Sequence, residues 1–184
     1  PQYRGAAPIN WAIINGDKKT GVTTFFIEEK IDTGEIILQE EIAIEPDDTA
    51  GTLHDKLMQL GSEVTLKTVQ LIANDAVVTS PQTHHNLKEA PKIFSQTCQI
   101  NWDNTAENIH NFIRGLSPYP AAWTILHQNN QEIKVKIYKS FFEINAHQFK
   151  TGSIILVPKS IKIAVKNGFI LVDELQIAGK KKMD

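Results

Sequence analysis

A short acidic turn, IDTGEI at residues 31–36, places residue types that can do proton chemistry between two β-prone runs. Asp32 can accept and deliver a proton, and Thr33 and Gly34 complete a tight connection around it. An aspartate in a turn more often hydrogen-bonds its own backbone, so the tripeptide alone fits both a structural and a catalytic interpretation. Beside a cationic side chain, such a carboxylate would favour the charged form of that side chain and orient it.

A second set of chemically suggestive residues is cationic and lies in the C-terminal half. Residues 1–95 hold 8 basic against 14 acidic side chains, whereas residues 96–184 hold 11 against 7. This asymmetry favours contact between the second half and a polyanion, although a solvated outer face would give the same pattern. The candidate residues are Lys134, Lys136, Lys139, Lys162, Lys180, Lys181 and Lys182.

The composition is typical of a globular protein outside the membrane. The chain has 184 residues, of which 41% are hydrophobic and 22% charged, and no apolar run approaches the roughly 18 residues of a membrane span. The single cysteine, Cys98, excludes an internal disulfide and a Cys-rich zinc site, and it is expected to be a partly buried thiol in a reducing cytoplasm. His84 and His85 lack converging carboxylates or thiols, so no metal site is predicted and both side chains are expected to be structural or exposed to solvent.

The N-terminal part of the sequence predicts two helices and two strands. PINWAIING forms a short helix with Pro8 in its first turn and Gly16 in the left-handed position after its last turn. Residues 20–29 and 35–44 are predicted strands. A long helix capped by Asp48 then ends near Asn74, and its apolar stripe consists of Leu53, Leu57, Leu60, Val64 and Leu71.

Residues 1–75 alone offer too little sheet for an independent α/β domain. Parallel and mixed sheets need covering on both faces, and two strands with two helices do not supply a complete layer. Residues 1–75 are therefore predicted to be the second half of a larger α/β domain. Residues 76–95 contain two prolines and no hydrophobic period, which is typical of a linker.

Residues 96–184 predict one helix followed by a small all-β unit. The helix is expected in DNTAENIHNFIRGL, with Asn104 as its cap and Glu107 completing a capping box. Arg114 and the segment 118–120 are expected to pack this unit onto the first one. Five strands follow, with Asn167-Gly168 as a two-residue hairpin turn, and their number favours a small barrel of the oligonucleotide-binding (OB) type. The strands are predicted at 121–126, 132–144, 152–157, 161–165 and 169–177.

Several long motifs carry a resemblance to one enzyme family. PQYRGAAPINWAIINGDKKTGVTTFFIEEKIDTGEI resembles the formyltransferases that use 10-formyltetrahydrofolate, most closely those acting on methionyl-tRNA. The similarity continues in INW (100–102), IRGLSPYPAAW (113–123) and LQIAGKKKM (175–183), and so runs through essentially the whole chain. It implies an α/β plus all-β fold: the second half of a Rossmann-like catalytic domain (1–75), a linker (76–95), and an OB-like, tRNA-contacting barrel with a leading helix (96–184).

The resemblance also implies which residues form the transfer site. The family uses an asparagine, a histidine and an aspartate, and only the aspartate has a counterpart here, Asp32. Pro1 matches the last residue of an SLLP-like folate-binding segment, so the other two are expected before it and the 184-residue chain is not expected to turn over alone. Ile31, Thr33 and Gly34 would line the folate pocket with Pro1. Arg4 would either shape the approach to the folate or anchor its loop through backbone carbonyls.

The implied reaction is formyl transfer from 10-formyltetrahydrofolate to the α-amine of initiator methionyl-tRNA, by a cytoplasmic monomer with folate as cosubstrate and no metal. The seven lysines then become candidates for phosphate contacts that position the tRNA. Two alternatives stay open at this stage. The acceptor could be an amino-sugar nucleotide, and the chain by itself could be a tRNA-binding module without activity.

Overall fold

Within residues 2–29, 33–82, 87–158 and 160–184, which the computed structural model describes, the chain forms three α-helices and nine strands of a mixed α/β protein. A 3-10 turn at Ser95–Cys98 precedes the third helix. In chain order the elements are β1 (Tyr3–Gly5), α1 (Pro8–Ile14), β2 (Lys19–Phe25), β3 (Ile36–Ala43), α2 (Ala50–Ala73), β4 (Lys88–Ala90), α3 (Ala106–Leu116), β5 (Ala122–Gln128), β6 (Gln131–Ile144), β7 (Ile154–Val157), β8 (Ser160–Val165) and β9 (Gly168–Ile177).

The first helix is built as its sequence predicts. Pro8 occupies its first turn, and Gly16 follows its end with a φ of +72°, a conformation that glycine adopts without steric cost. Ala12 and Ile13 are fully buried. They join Leu53 and Leu57 of α2 in the hydrophobic core of the N-terminal unit.

The second helix begins one residue later than predicted. Thr49 is its N-cap and accepts a hydrogen bond from the Thr52 N–H. Asp48, the predicted cap, is instead buried and accepts bonds from the Glu45 N–H, from Thr52 Oγ1 and from Lys56 Nζ at 2.8 Å. Burial alone would raise the pKa of Asp48, but these bonds more than offset it and hold the pKa below its ordinary value.

One face of the β2–β3 hairpin is covered by α2. The two strands are antiparallel, with Lys19 opposite Ala43 at one end and a register irregularity at Thr24/Phe25 near the other. Thr24 Oγ1 lies 2.8 Å from Thr68 Oγ1 of α2, which fixes the helix on the hairpin. Both strands are shorter than predicted, because strand pairing ends at Phe25 and begins again at Ile36.

The segment predicted as a linker pairs with the N-terminal unit. Its residues Lys88–Ala90 form β4, which lies parallel to β1 with Tyr3 opposite Lys88. Gly5 is required at this pairing, because a Cβ there would overlap the carbonyl oxygen of Ala90 and the φ of Gly5 is +137°. Trp11 Nε1 donates to the Pro91 carbonyl at 2.9 Å and ties down the next part of the same segment.

All five predicted C-terminal strands are present, in one antiparallel sheet of order β5-β6-β9-β8-β7. α3 covers one face, where Ile109, Ile113 and Leu116 pack on Ile137 and Ile170. In the part of the chain that the structure describes, the edge strands β5 and β7 do not pair with each other. The sheet is thus open, and the predicted closed barrel is not confirmed.

Two local predictions in the C-terminal unit are wrong by one residue. Val165 pairs with Gly168, so the hairpin loop is Lys166-Asn167 and not Asn167-Gly168. Thr105, not Asn104, caps α3 by accepting from the Asn108 N–H. The side chain of Asn167 adds a remote cap, since its Oδ1 accepts from the Ala106 N–H and its Nδ2 donates to Glu107.

The two units meet at Arg114, as the sequence predicts. Arg114 is only 6% exposed, and its Nη1 donates to the carbonyl oxygens of Asp48 at 2.9 Å and Glu45 at 3.3 Å. Burial lowers the pKa of Arg114 from its ordinary value. Tyr119, also predicted at this junction, is instead 82% exposed.

No helix among the described residues is both long enough and apolar enough to span a membrane.

Candidate functional site

The structure places only part of the predicted transfer site. Pro1, Ile31 and Asp32 lie outside the described residues, as do His84 and His85. Thr33 and Gly34 are described and stand at the start of the stretch that leads from Asp32 into β3. Thr33 Oγ1 lies 3.4 Å from Oε2 of Glu28, which is in the segment after β2.

Gly34 makes a close approach to the chain itself. It is buried, and a Cβ at this position would overlap the carbonyl oxygen of Phe26. The resemblance assigns this glycine to the folate pocket; the close contact observed is with Phe26, the residue that follows β2. Any larger side chain at position 34 would push the turn away from β2.

The backbone after Asp32 is fixed by three consecutive carbonyl groups, each with a different donor. The Gly34 carbonyl accepts from Gln82 Nε2 at 2.7 Å, and the Glu35 carbonyl accepts from the Phe26 N–H at 3.0 Å. The Ile36 carbonyl accepts from the Ser80 N–H at 3.0 Å, and the Ile36 N–H donates back to the Ser80 carbonyl at 2.8 Å. Among the described residues, Thr79 Oγ1 donates only to the exposed side-chain carboxylate of Glu35 and makes no bond to this backbone.

Arg4 belongs to the same support. Its Nη2 donates to Gln82 Oε1 at 3.2 Å, so β1, the turn at Gly34 and the segment around Gln82 are joined through one amide. Arg4 Nε is buried and has no hydrogen-bond partner among the described residues. Of the two roles considered for Arg4, the observed contacts favour anchoring, although it binds a side-chain amide and not backbone carbonyls.

Sequence reasoning missed Gln82. The residue lies in a polar, proline-containing segment whose composition indicates only a linker, and its partner Gly34 is 48 positions away. A polar side chain that is only 8% exposed must find partners, but the sequence does not reveal that it is buried.

Two cavities of the described structure lie elsewhere. One of about 380 Å³ is bordered by β1, β2 and β3 and lined by Tyr3, Pro8, Lys19, Thr23 and Phe25 among others. A second, of about 420 Å³, lies between α1 and α3 and is rich in amides. Neither is lined by Thr33, Gly34 or Gln82.

The seven predicted nucleic-acid-binding lysines fall into two groups. Lys139, Lys162 and Lys182 already pair with the carboxylates of Asp173, Glu143 and Glu174, at 2.8, 2.7 and 2.6 Å. The hydrogen bond that Lys139 donates to Asp173 also raises the pKa of Lys139. The remaining four have no carboxylate within 4.0 Å in the described parts of the chain; they are Lys134, Lys136, Lys180 and Lys181.

Lys134 and Lys136 share a face of β6 with an aromatic ring. Lys134 Nζ lies 3.9 Å from the centre of the Trp123 ring, and Trp123 is directly opposite Lys136 in the β5–β6 register. Lys136 Nζ donates to the Pro120 carbonyl at 3.3 Å. We call Trp123, Lys134 and Lys136 the basic–aromatic patch.

Cys98 lies close to this patch but is not a reactive thiol. It is fully buried, and its Sγ donates to the Phe94 carbonyl. Burial raises the pKa of Cys98, and the positive charges of Lys134 and Lys136 offset that only in part. The sequence predicts a partly buried thiol; the burial of Cys98 is complete.

Comparison with known proteins gives one consistent family. Residues 1–69 match the family described as "Formyl transferase", and residues 92–184 match "Formyl transferase, C-terminal domain". A protein of Flavobacterium johnsoniae named methionyl-tRNA formyltransferase is 54% identical over 184 residues, and one of Flavobacterium psychrophilum with the same name is 50% identical. All of this chain is covered in both cases, and it spans 58% of the length of each relative.

Two solved structures are similar over nearly the whole chain. One is WlaRD, a sugar 3N-formyl transferase crystallised with dTDP and 5-N-formyl-THF. It is 28% identical to this chain, with a TM-score of 0.73, and the match covers 98% of this chain and 63% of the WlaRD chain. The other is an N-formyltransferase from Helicobacter canadensis in complex with folinic acid and dTDP-3-aminofucose. It is 25% identical to this chain, with a TM-score of 0.74, and the match covers 94% of this chain and 62% of the Helicobacter chain.

Proposed function

Because the chain belongs to the formyl transferase family, we propose that the whole protein transfers a formyl group from 10-formyltetrahydrofolate to the α-amine of initiator methionyl-tRNA. The choice of methionyl-tRNA as the acceptor rests on the 54% identity, along all 184 residues, to a relative named for that activity. The similar solved structures named for sugar substrates are only 25–28% identical.

Asp32 is the proposed proton carrier of the reaction. The amine nitrogen forms a bond to the formyl carbon, the bond from that carbon to the folate nitrogen breaks, and the proton lost by the amine must reach the departing nitrogen. A carboxylate near both nitrogens can accept this proton and then deliver it. It would also favour the charged form of a neighbouring donor to the formyl oxygen, where negative charge develops in the tetrahedral intermediate.

A folate-type donor is supported by the bound molecules named for the two similar structures, 5-N-formyl-THF and folinic acid. In this chain we assign Pro1, Ile31, Thr33 and Gly34 to the folate pocket. The three hydrogen-bonded carbonyls from Gly34 to Ile36 would give that pocket a rigid wall, as a preorganised site requires.

The domain arrangement is part of the same proposal. Residues 1–75 form the second half of a Rossmann-like catalytic domain, 76–95 a linker, and 96–184 an OB-like tRNA-contacting unit. The matched ranges 1–69 and 92–184 support this division. The 14-residue strand β6 has register irregularities between Ile137 and Ser140, and bulges of this kind curl sheets toward barrels.

An amino-sugar nucleotide acceptor is the second candidate, favoured by the similarity to the two sugar formyltransferases over 94–98% of the chain. Formylation by the whole protein should be compared with methionyl-tRNA and with a dTDP-linked 3-amino sugar as acceptors. We expect turnover with the tRNA and little with the sugar. Turnover with the sugar alone would overturn the proposed acceptor.

We assign tRNA phosphate contacts first to the lysines that have no carboxylate partner. A paired lysine must break its ion pair before binding a phosphate, whereas Lys134 and Lys136 would replace only an aromatic or carbonyl contact. Lys180 and Lys181 are exposed. The hydrogen bond from Gln176 Nε2 to the Lys180 carbonyl holds them next to the same face of the sheet. This refines the seven-lysine prediction to four.

The double variant Lys134→Met/Lys136→Met is expected to weaken tRNA binding by the whole protein about tenfold at low salt. It should also lower the slope of log affinity against log salt by about 2, because each phosphate contact releases roughly one counterion. Filter binding over a series of salt concentrations measures both quantities.

The matched control is Lys139→Met/Lys162→Met, which removes the same charge from lysines already paired with Asp173 and Glu143. Its affinity should stay within about twofold of wild type and its salt slope should be unchanged. Equal losses in the two double variants would contradict the division into paired and unpaired lysines.

A further inference from the structure

The three carbonyl anchors after Asp32 differ in what supplies them. The donors to Glu35 and Ile36 are backbone N–H groups, of Phe26 and Ser80, and belong to the local strand pairing. The donor to Gly34 is a side chain, the amide of Gln82. Of these three hydrogen bonds, therefore, only the one from Gln82 depends on which side chain the donor residue carries.

The Gln82 amide uses both of its ends. It is 8% exposed, Nε2 donates to the Gly34 carbonyl at 2.7 Å, and Oε1 accepts from Arg4 Nη2 at 3.2 Å. The bond from Arg4 fixes which way the amide faces, so that its NH₂ group points to Gly34. A buried amide held at both ends positions the backbone it contacts more firmly than a solvated one, because breaking either bond leaves a buried group unpaired.

The anchored carbonyl is two residues from the proposed proton carrier. Gly34 cannot move toward Phe26, whose carbonyl oxygen already occupies the place of a Cβ, and Gln82 holds Gly34 from the opposite segment. The position of the backbone that leads out of Asp32 is thus set by contacts on two sides.

We propose that Gln82, oriented by Arg4, is a positioning residue of the formyl-transfer site that fixes the backbone following Asp32. This inference rests on the proposed function for its catalytic consequence, and it extends the site into the segment that links the two units. Gln82 does not touch the reacting atoms. It acts through the Gly34 carbonyl, and small displacements of a reacting group are costly to catalysis.

The test uses Gln82→Met and Gln82→Glu in the whole protein. Met keeps the length but removes both hydrogen bonds, whereas Glu keeps an acceptor for Arg4 but places a carboxylate against the Gly34 carbonyl. Both variants should lower kcat for formyl transfer to methionyl-tRNA about tenfold or more, with KM for the tRNA within about twofold. If Gln82→Met fails to fold, Gln82→Glu decides the outcome, because its pairing with Arg4 favours folding.

Thr79→Val is the matched control. It removes the side-chain bond to Glu35 from the same segment but leaves the bond to the Gly34 carbonyl in place. Its kcat should stay within about twofold of wild type. Backbone hydrogen exchange at residues 33–36 should accelerate in the Gln82 variants and not in Thr79→Val, whereas a purely structural role would change exchange and melting temperature throughout the N-terminal unit.

A kcat within twofold of wild type in a folded Gln82 variant would overturn the inference. Failure of the proposed function is recognised separately, since the wild-type whole protein would then not formylate methionyl-tRNA. In that case hydrogen exchange at residues 33–36 still decides whether Gln82 holds this backbone, and unchanged exchange there would refute the positioning role.

Discussion

Replacement of Asp32 by Asn is expected to lower kcat for formyl transfer by the whole protein about 10²- to 10⁴-fold, the range that a positioned general acid–base contributes. Asn has nearly the same size and can occupy the same turn, but it carries no charge and cannot accept a proton at neutral pH. Steady-state formylation of methionyl-tRNA measures the loss. Binding of a folate analogue, followed by fluorescence, should change much less than kcat.

Asp75→Asn is a suitable control for Asp32→Asn. Asp75 is an exposed turn aspartate just after α2, with a φ of +50°, a conformation that asparagine also tolerates. Its kcat should equal that of wild type. Should Asp32→Asn retain activity within about tenfold of wild type, the carboxylate would not be the proton carrier, and the turn would have only a structural role.

Replacement of Arg114 by Met is expected to lower the free energy of unfolding by about 3 kcal/mol, the loss that follows when a buried, hydrogen-bonded charge is removed from its partners. The substitution deletes the bonds to the carbonyls of Glu45 and Asp48, and Asn111 Oδ1 loses its bond from Arg114 Nε. These contacts join α3 to the loop before α2, so the junction between the two units should weaken. Urea denaturation of the whole protein measures the change.

Lys150→Met removes a positive charge from an exposed position of the C-terminal unit and is the control for Arg114→Met. It should alter the free energy of unfolding by no more than about 0.5 kcal/mol. Equal stability of Arg114→Met and Lys150→Met would show that the buried guanidinium adds nothing to the junction.

Most of the elements follow from local sequence; β1 and β4, which pair with each other across more than 80 positions, do not. The apolar stripe from Leu53 to Leu71 predicted α2, and the structure has it from Ala50 to Ala73. Recurring β-branched and apolar residues between polar turns predict five C-terminal strands, and all five are present. Hydrophobic periodicity determines these features because each element must turn its apolar side to a core, whatever that core is.

The caps show where local sequence stops being sufficient. Both long helices follow a run of adjacent capping residues, Asp47-Asp48-Thr49 and Asp103-Asn104-Thr105, so several starting points satisfy the same rule. In each case the threonine caps the helix and the residue before it is used elsewhere: Asp48 binds Lys56, and Asn104 accepts from Asn108 Nδ2.

By itself, the sequence determined the three helices, every strand except β1 and β4, the family resemblance and Asp32 as the candidate proton carrier, because each of these depends on residues close together in the chain. Only the tertiary structure decided which lysines are already neutralised by a carboxylate and that Gln82 holds the turn at Gly34. Such contacts join residues that are far apart in the chain, 48 positions in the case of Gly34 and Gln82. An ion pair or a buried hydrogen bond forms only when its atoms come within a few ångströms, and folding alone sets those distances.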